Sequence, residues 1–507
     1  MRTAVSLLGL AAVSHALEKR TSASAYSSNS AGTYKLTSIT APVQGAGDPG
    51  SSSTWKLTID DTSSGYKQTI VGFGGAVTDA TVTSFNTLSS ANLEALLNDL
   101  MTDAGANFAM MRHTIGASDL SGNPAYTYDD NGGSVDTSLS GFNLGDRGTA
   151  MAKMLASMKS LQSALTIFGS PWSAPGWMKM NGVIDGTTTD NNLNDGYLNG
   201  GTANTGYVSE FADYFVKYLQ AYKALDVTVD AITIQNEPLN SQSGYPTMYV
   251  YAEESAELIQ NYIGPAIANA GLDTAIWAYD HNTGTSHESQ HPLSRTLTLT
   301  KINQDVPSYP QTVIDGAGSY VDSVAWHCYA TDVNWTVLTT FHDSNPNVKQ
   351  YMTECWTPST GDWNQAADFT MGPLQNWANG VTAWTLGTNS SDGPHLSSGG
   401  CDTCTGLVTI NTDGTYTFQT AYYMIAQFSK FIPTGAIVLS GTGSYTYTGG
   451  SGLQSVASLN PDGTRSVVIE NTFDNDIYLT LTTESGEEWS GDIPSESVTT
   501  WVLPAAS

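Results

Sequence analysis

From about Thr69 to Lys430, short apolar runs alternate with longer stretches in which apolar residues recur at helical spacing. Eight runs have the length and β-favouring content of strands: TIVGFG (69–74), FAMMRH (108–113), LTIFGS (165–170), AITIQ (231–235), TAIWAY (274–279), VDSVAWH (321–327), KQYMTE (349–354) and GVTAWT (380–385). Between them, SSANLEALLNDLM (89–101) keeps Leu93, Leu96, Leu97 and Leu100 on one helical face, and YVSEFADYFVKYLQAYKAL (207–225) has a similar pattern. Eight such alternations predict an α/β fold, a (β/α)8 TIM barrel rather than an open doubly wound sheet. After Pro433 the texture changes to short alternating runs punctuated by Gly, Asn and Asp, among them AIVLSGT, SVASLN, RSVVIEN, IYLTLTT and SVTTWVL. TYKLTSI (33–39) and TWKLTID (54–60) share that texture, so the N-terminal segment is expected to cross over and complete a side β-sandwich with the C-terminal one. The Ser/Gly-rich stretches 21–32 and 44–53 read as loops or a mobile arm. The expected division is 1–20 as a removed leader, 21–65 as the N-terminal part of the sandwich, 66–432 as the barrel and 433–507 as the rest of the sandwich.

Composition narrows the function classes. At 507 residues, 40% hydrophobic and 13% charged, the chain is globular rather than disordered. Its start, with Arg2, an apolar stretch over Ala4–Val13 and small residues at Ser14 and Ala16, reads as a secretion signal. That stretch falls far short of the roughly 20 residues a membrane span needs. Lys19-Arg20 reads as a second processing site, so the mature chain is expected to begin near Thr21 and to act outside the cell. With 18 Lys and Arg against 47 Asp and Glu the net charge is −29, which repels phosphate backbones and anionic lipids. The expected partner is therefore a neutral polysaccharide, with no nucleic acid and no membrane, and the expected state is a monomer. Cys401 and Cys404, in the Gly-rich SSGGCDTCTG, read as a local disulfide, because a zinc site would have only His395 to add. Cys328 and Cys355 lie in apolar runs and are either buried thiols or a bridge between neighbouring strands. Asn334 and Asn389 begin N-glycosylation sequons.

In a (β/α)8 barrel, reactive groups project from the C-terminal ends of the strands. Glu237 ends the fourth predicted strand in TIQNEP, and Glu354 ends the seventh in TEC, so both are expected to face one pocket. Two carboxylates across a cleft, with neither a metal motif nor a Ser/His/Asp set, are the minimal equipment for splitting a glycosidic bond. Arg112, at the end of the second strand, is placed as a cation beneath a charged nucleophile, which makes Glu354 that nucleophile and leaves Glu237 as acid and then base. Asn236 is expected on the sugar 2-hydroxyl. Asp79 has the chemistry to accept from sugar hydroxyls, and the indoles of Trp172 and Trp384 to cover the apolar face of a pyranose. Trp177 and Trp326 read as packing, and His327 as either a satisfied strand-end histidine or a partner of Glu354. No cofactor and no metal is called for.

GFGGAVTDA (72–80), MRHTIGASDLS (111–121), SPWSAPGWMK (170–179), TIQNEP (233–238), AWHCY (325–329) and TECW (353–356) together resemble the strand-end motifs of glycoside hydrolase family 30, in that family's order. The resemblance runs from about residue 30 to the C-terminus. It implies a retaining β-glycosidase with a barrel and a side β-domain, with Glu237 as acid/base and Glu354 as nucleophile. It further implies a sugar subsite lined by Asp79, Trp172, Asn236, His327, Tyr329 and Trp384, with Tyr245 near the acid. Within the family, RHTIGASDLSGNPAYTYDDNGG (112–133) most resembles the endo-β-1,6-glucanases, and a glucosylceramidase-like enzyme is the nearest rival. The long polar loops at 171–205 and 386–418 suit a hydrophilic chain better than a lipid glycoside. The same residues also admit an exo-acting β-glucosidase or a non-catalytic carbohydrate-binding wall protein; retention of both carboxylates argues against the wall protein.

Overall fold

A computed structural model describes residues 22–187, 191–194, 206–284, 308–330, 333–355, 363–442, 445–446 and 452–506. The expected leader and processing site, residues 1–20, lie outside these residues. Eight parallel strands close into a barrel in chain order: Gly72–Val77, Met110–Ile115, Thr166–Pro171, Ala231–Thr233, Ala275–Asn282, Val321–His327, Lys349–Glu354 and Ala378–Ala383. Each is buried along nearly its whole length, as expected where one face meets the barrel interior and the other a ring of helices. The helices include Asp79–Phe85, Ser90–Met101, Gly145–Leu161, Val208–Lys223, Ser308–Ala317, Thr336–Ser344 and Trp363–Gln375. Ser90–Met101 begins where the Ser89 side chain accepts from the Asn92 N–H, and buries Leu96, Leu97 and Leu100.

Two sheets pack beside the barrel. The larger one orders Thr37–Ile39, Ser24–Asn29, Ser497–Leu503, Arg465–Asn471, Gly452–Leu459, Ile437–Leu439 and Tyr66–Thr69, and Tyr445–Thr446 adds to Gly452–Leu459. The smaller orders Val43–Gln44, Glu488–Ile493, Ile477–Thr483 and Ser53–Ile59. Their shared core holds Leu57, Ile59, Val467, Ile469, Leu479, Leu481, Trp489 and Trp501. The sandwich thus takes strands from both chain ends, as its texture implied.

Three local expectations are corrected. Ser24–Asn29 is a strand pairing antiparallel with Ser497–Leu503, not a loop or mobile arm. Its buried Ser27 accepts from Thr499 Oγ1 at 3.0 Å and its buried Ser28 from Gln427 Nε2 at 2.8 Å, so hydroxyls occupy a face where apolar residues would have signalled a strand. Within 33–39 only Thr37–Ile39 is strand. The fourth barrel strand stops at Thr233 rather than running to Gln235, so Glu237 stands on the loop beyond it.

Candidate active site

Side chains alternate along a strand, so residues two apart face the barrel axis together. Met110, Phe168, Ala231, Trp277, Ala325 and Tyr351 form an apolar floor, with the Trp277 and Tyr351 rings stacked at 4.1 Å. Two residues further along five of those strands stand Arg112, Ser170, Thr233, His327 and Thr353, and the layer turns polar. The fifth strand departs from the rule. Its register shifts between Tyr279 and His281, and both Tyr279 (φ 77°) and Asp280 (φ 59°) take left-handed backbone. The extra residue aims Asp280 into the polar layer. Its Oδ2 accepts from Ser170 Oγ at 2.7 Å, Thr233 Oγ1 at 2.8 Å and Arg112 Nη2 at 2.9 Å. Oδ1 accepts from Thr353 Oγ1 at 2.7 Å and lies 3.0 Å from His327 Nε2.

The two glutamates sit above this layer. Glu354 ends the seventh strand; its Oε2 accepts from Arg112 Nη1 and its Oε1 from the Tyr329 hydroxyl at 2.8 Å. Glu237 takes φ 44°, and its N–H donates to the Asp280 carbonyl at 3.0 Å, while the Asn236 N–H donates to the Pro171 carbonyl at 2.8 Å. The loop is therefore tied to the ends of both neighbouring strands. Glu237 Oε1 lies 3.2 Å from His327 Nδ1 and 3.8 Å from His281 Nδ1. Its Oε2 accepts from Asn240 Nδ2 at 2.7 Å, and the same amide reaches the Tyr245 hydroxyl at 3.2 Å. His327 Nε2 is also 3.9 Å from Glu354 Oε2, so both carboxylates flank a single imidazole. This revises the expectation for His327, whose hydrogen bonds go to Glu237 and Asp280 rather than to Glu354.

The other residues expected in a sugar subsite fall around this centre. Trp172, Trp384 and Tyr245 join Leu120, Leu396 and Cys404 in one apolar wall, and the Arg112 guanidinium carbon is 4.9 Å from the Trp172 ring and 5.9 Å from that of Trp384. Asn236 Oδ1 accepts from Arg112 Nη2 at 2.7 Å. Asp79 begins the helix after the first strand, and its oxygens accept from Ser121 Oγ at 2.7 Å, Tyr126 OH at 3.1 Å and Arg147 Nη2 at 3.0 Å. Trp177 and Trp326 are packing residues, bonded through their indole N–H groups to the Asp129 carbonyl and Gln350 Oε1. Cys401 and Cys404 are bonded to each other, and Cys328 to Cys355. The second bridge joins the residue after His327 to the residue after Glu354. Asn334 is exposed, whereas Asn389 is half-buried and its Oδ1 accepts from the Ser391 and Gly393 N–H groups.

Electrostatics couple the groups. Burial raises Asp280, but Arg112 and His327 outweigh it and hold the carboxyl well below the usual range. Burial lowers His327, and Glu354, Asp280 and Glu237 reverse this and raise the imidazole to about 9. For Glu237, burial opposes His327, His281 and Asn240, which together lower it to about 2. Glu354 is raised: burial and the nearby Glu237 prevail over Arg112, His327 and Tyr329. These directions are the reverse of a simple picture with a protonated Glu237 and an ionised Glu354. The conflict resolves at the 3.2 Å contact between Glu237 and His327. A charged imidazole with a charged carboxylate, and a neutral imidazole with a protonated carboxyl, differ by the position of one proton along that contact. Glu354, though raised, accepts from a guanidinium and a phenol, both of which favour its anion, so it is oriented to act as the charged partner.

Sequence reasoning passed over Asp280, His281, Asn240, Ser170, Thr233 and Thr353. Asp280 carried a signal, a carboxylate directly after the predicted strand TAIWAY, but its inward aim depends on the bulge. Asp119 was also passed over; burial, and then Glu354, raises it to about 7.

Residues 70–432 match the glycosyl hydrolase family 30 TIM-barrel domain, and residues 435–501 the family's β-sandwich domain. An endo-1,6-β-D-glucanase of Aspergillus fumigatus is 74% identical over 510 residues, covering 100% of both chains. Another, from Trichoderma harzianum, is 66% identical over 507 residues, covering 99% of this chain and 98% of that one. Among solved structures, an endo-β-1,6-glucanase superposes with a TM-score of 0.78 at 26% identity, covering 95% of this chain and 99% of that one.

Proposed function

The chain belongs to glycosyl hydrolase family 30, and from that premise we propose that it is a secreted enzyme that cuts β-1,6-glucan internally by retaining double displacement. The observation that carries the chemistry is the pair of carboxylates, Glu237 and Glu354, meeting on opposite sides of the His327 ring. The linkage rests on two nearly full-length relatives that bear that activity in their names. The polar loop Gly387–Phe418, with its three short strands and the Cys401–Cys404 bridge, supports a hydrophilic chain as the substrate.

In this reading a glucosyl unit lies against Trp172 and Trp384 with its anomeric carbon over Glu354. Arg112 and Tyr329 hold the attacking carboxylate in one orientation and keep it ionised. A bound sugar ring excludes water, and a dry pocket penalises the separated charges of imidazolium and carboxylate. The proton then moves from His327 to Glu237, which delivers it to the departing glycosidic oxygen while Glu354 bonds to the anomeric carbon. Once esterified, Glu354 carries no charge. Glu237, now a carboxylate beside His327, takes a proton from the incoming water, and the water oxygen displaces Glu354 with net retention. Asp280 fixes the arrangement by holding His327 Nε2 and Arg112 Nη2 on its two oxygens.

Early-time product sizing on linear β-1,6-glucan, β-1,3-glucan and glucosylceramide tests the proposal. A ladder of oligomers from the first substrate alone is expected. Glucose as the sole early product, or cleavage of glucosylceramide at a comparable rate, would contradict it.

A further inference from the structure

The loop between the second barrel strand and the helix Gly145–Leu161 carries TYDDNGGSVDTSLSG, residues 127–141, which the glycosidase chemistry leaves unused. Asp129 lies in it with 1% of its surface exposed, and neither carboxylate oxygen accepts a hydrogen bond from any described residue. That is a costly state for a buried anion, which is normally paired or bound to a metal. Among the described residues no ion pair reaches it. Lys217, on the helix Val208–Lys223, acts on it only at long range, while Asp136 and Asp130 add negative charge. Burial first, and then those two neighbours, raise Asp129 to about 6.

The Asp129 side chain is aimed at a shared point. A methyl group placed on Gly141 would lie 3.0 Å from Asp129 Oδ1, 3.3 Å from Asn131 Oδ1 and 3.3 Å from Asp136 Oδ2. Three side-chain oxygens of one loop thus gather over the Gly141 α-carbon, so closely that a side chain there would press on all three. Asp136 is held in place by the Gly141 N–H at 2.7 Å and by Ser138 and Ser140, which leaves it ionised and lowers it to about 2. Asp130 is turned away, accepting from the Thr127 N–H and hydroxyl. Asn131 and Gly141 are exposed, so the space opens to solvent, and the Asp129 carbonyl is anchored beneath by the Trp177 indole.

We propose that Asp129, Asn131 and Asp136 form a binding site for a hard divalent cation of the Ca²⁺ class. The donor set is all oxygen, with two carboxylates and a neutral amide, and an ion would sit outward of the Gly141 α-carbon, with the three oxygens drawing in to the roughly 2.3–2.6 Å typical of Ca²⁺. The ion takes no part in bond cleavage. It neutralises the buried Asp129 and pins the loop whose earlier residues, Ser121 and Tyr126, hold Asp79 in the sugar subsite. The site departs from the expectation of a metal-free protein.

The test is equilibrium dialysis of the chelator-treated full-length enzyme against ⁴⁵Ca²⁺ in 0.1 M KCl, paired with melting curves in CaCl₂ and in EGTA. One saturable site per chain is expected, with a Kd of about 10⁻³ M or tighter, as in extracellular modules. Saturating Ca²⁺ should raise the Tm by about 1–3 °C over EGTA. Gly141→Ala, which keeps every ligand but presses a methyl group against all three oxygens, and Asp129→Asn should each weaken binding tenfold or more and remove the Tm shift. Asn131→Ala, at an exposed position, should weaken it at least threefold and serves where Asp129→Asn does not fold. A wild-type chain with no saturable site, or a site that survives Gly141→Ala, overturns the proposal.

Discussion

At the scale of single residues, the chemistry depends on where protons rest. Glu354→Gln removes the proposed nucleophile and should lower turnover about 10⁴-fold or more on every substrate. Glu237→Ala should cost about 10²–10⁴-fold on the glucan, where the leaving oxygen needs a proton, and far less on 2,4-dinitrophenyl β-glucosides, which need none. Steady-state kinetics on the two substrate types separates the roles; equal losses on both for Glu237→Ala would sink its assignment. The pH profile follows from the same groups. Glu354 is raised, so on acidification it is protonated, and attack fails, above the ordinary carboxylate range. The proton shared by Glu237 and His327 leaves only as the pH approaches about 9. The alkaline limb of kcat/KM should therefore stand well above neutrality and move to lower pH in His327→Gln, where Glu237 must keep the proton unaided.

At the scale of elements, what the sequence disclosed follows what each element buries. The eight barrel strands were legible because both faces are covered, so each reads as an apolar run of strand length. Ser24–Asn29 was not, because hydrogen-bonded serines fill its buried side. Glu488–Ile493 escaped notice too, since Glu488, Gly491 and Asp492 break its alternation. Glu237 and Glu354 were legible as carboxylates at predicted strand ends, and Arg112 as the cation beneath Glu354. Asp280 was hidden, because a one-residue bulge decides which way it points, and neither composition nor period reports a bulge. The sixth and seventh strands carry one further consequence. Their ends are joined by Cys328–Cys355, across a sequence separation of 27. Replacing both cysteines by Ala should cost about 3 kcal/mol in denaturant unfolding. It should also lower kcat more than it raises KM, because the bridge abuts both His327 and Glu354. An unchanged kcat would limit the bridge to stability.

At the scale of the whole molecule, barrel and sandwich meet across a buried acidic contact. Gln454 Nε2, on Gly452–Leu459, donates to Asp368 of the barrel helix Trp363–Gln375 and to Glu470 of Arg465–Asn471. Burial raises Asp368, and burial together with Asp368 raises Glu470 well above the usual range. Among the described residues no cation pairs with either. A raised carboxyl favours the folded state at low pH and loses that contribution as pH rises through the raised value. The Tm should accordingly fall as the pH rises above the ordinary carboxylate range. Glu470→Gln should raise it at the upper end and leave it nearly unchanged at the lower; a parallel offset at all pH values would refute the linkage. The architecture's central consequence remains the meeting of two carboxylates, remote in sequence, at one imidazole. Trapping the enzyme with 2-deoxy-2-fluoro-β-gentiobiosyl fluoride and mapping the labelled peptide by mass spectrometry tests it most directly. The account predicts one disaccharide ester per chain, on Glu354. A label on Glu237, or turnover that inverts the anomeric centre with no ester formed, would contradict it.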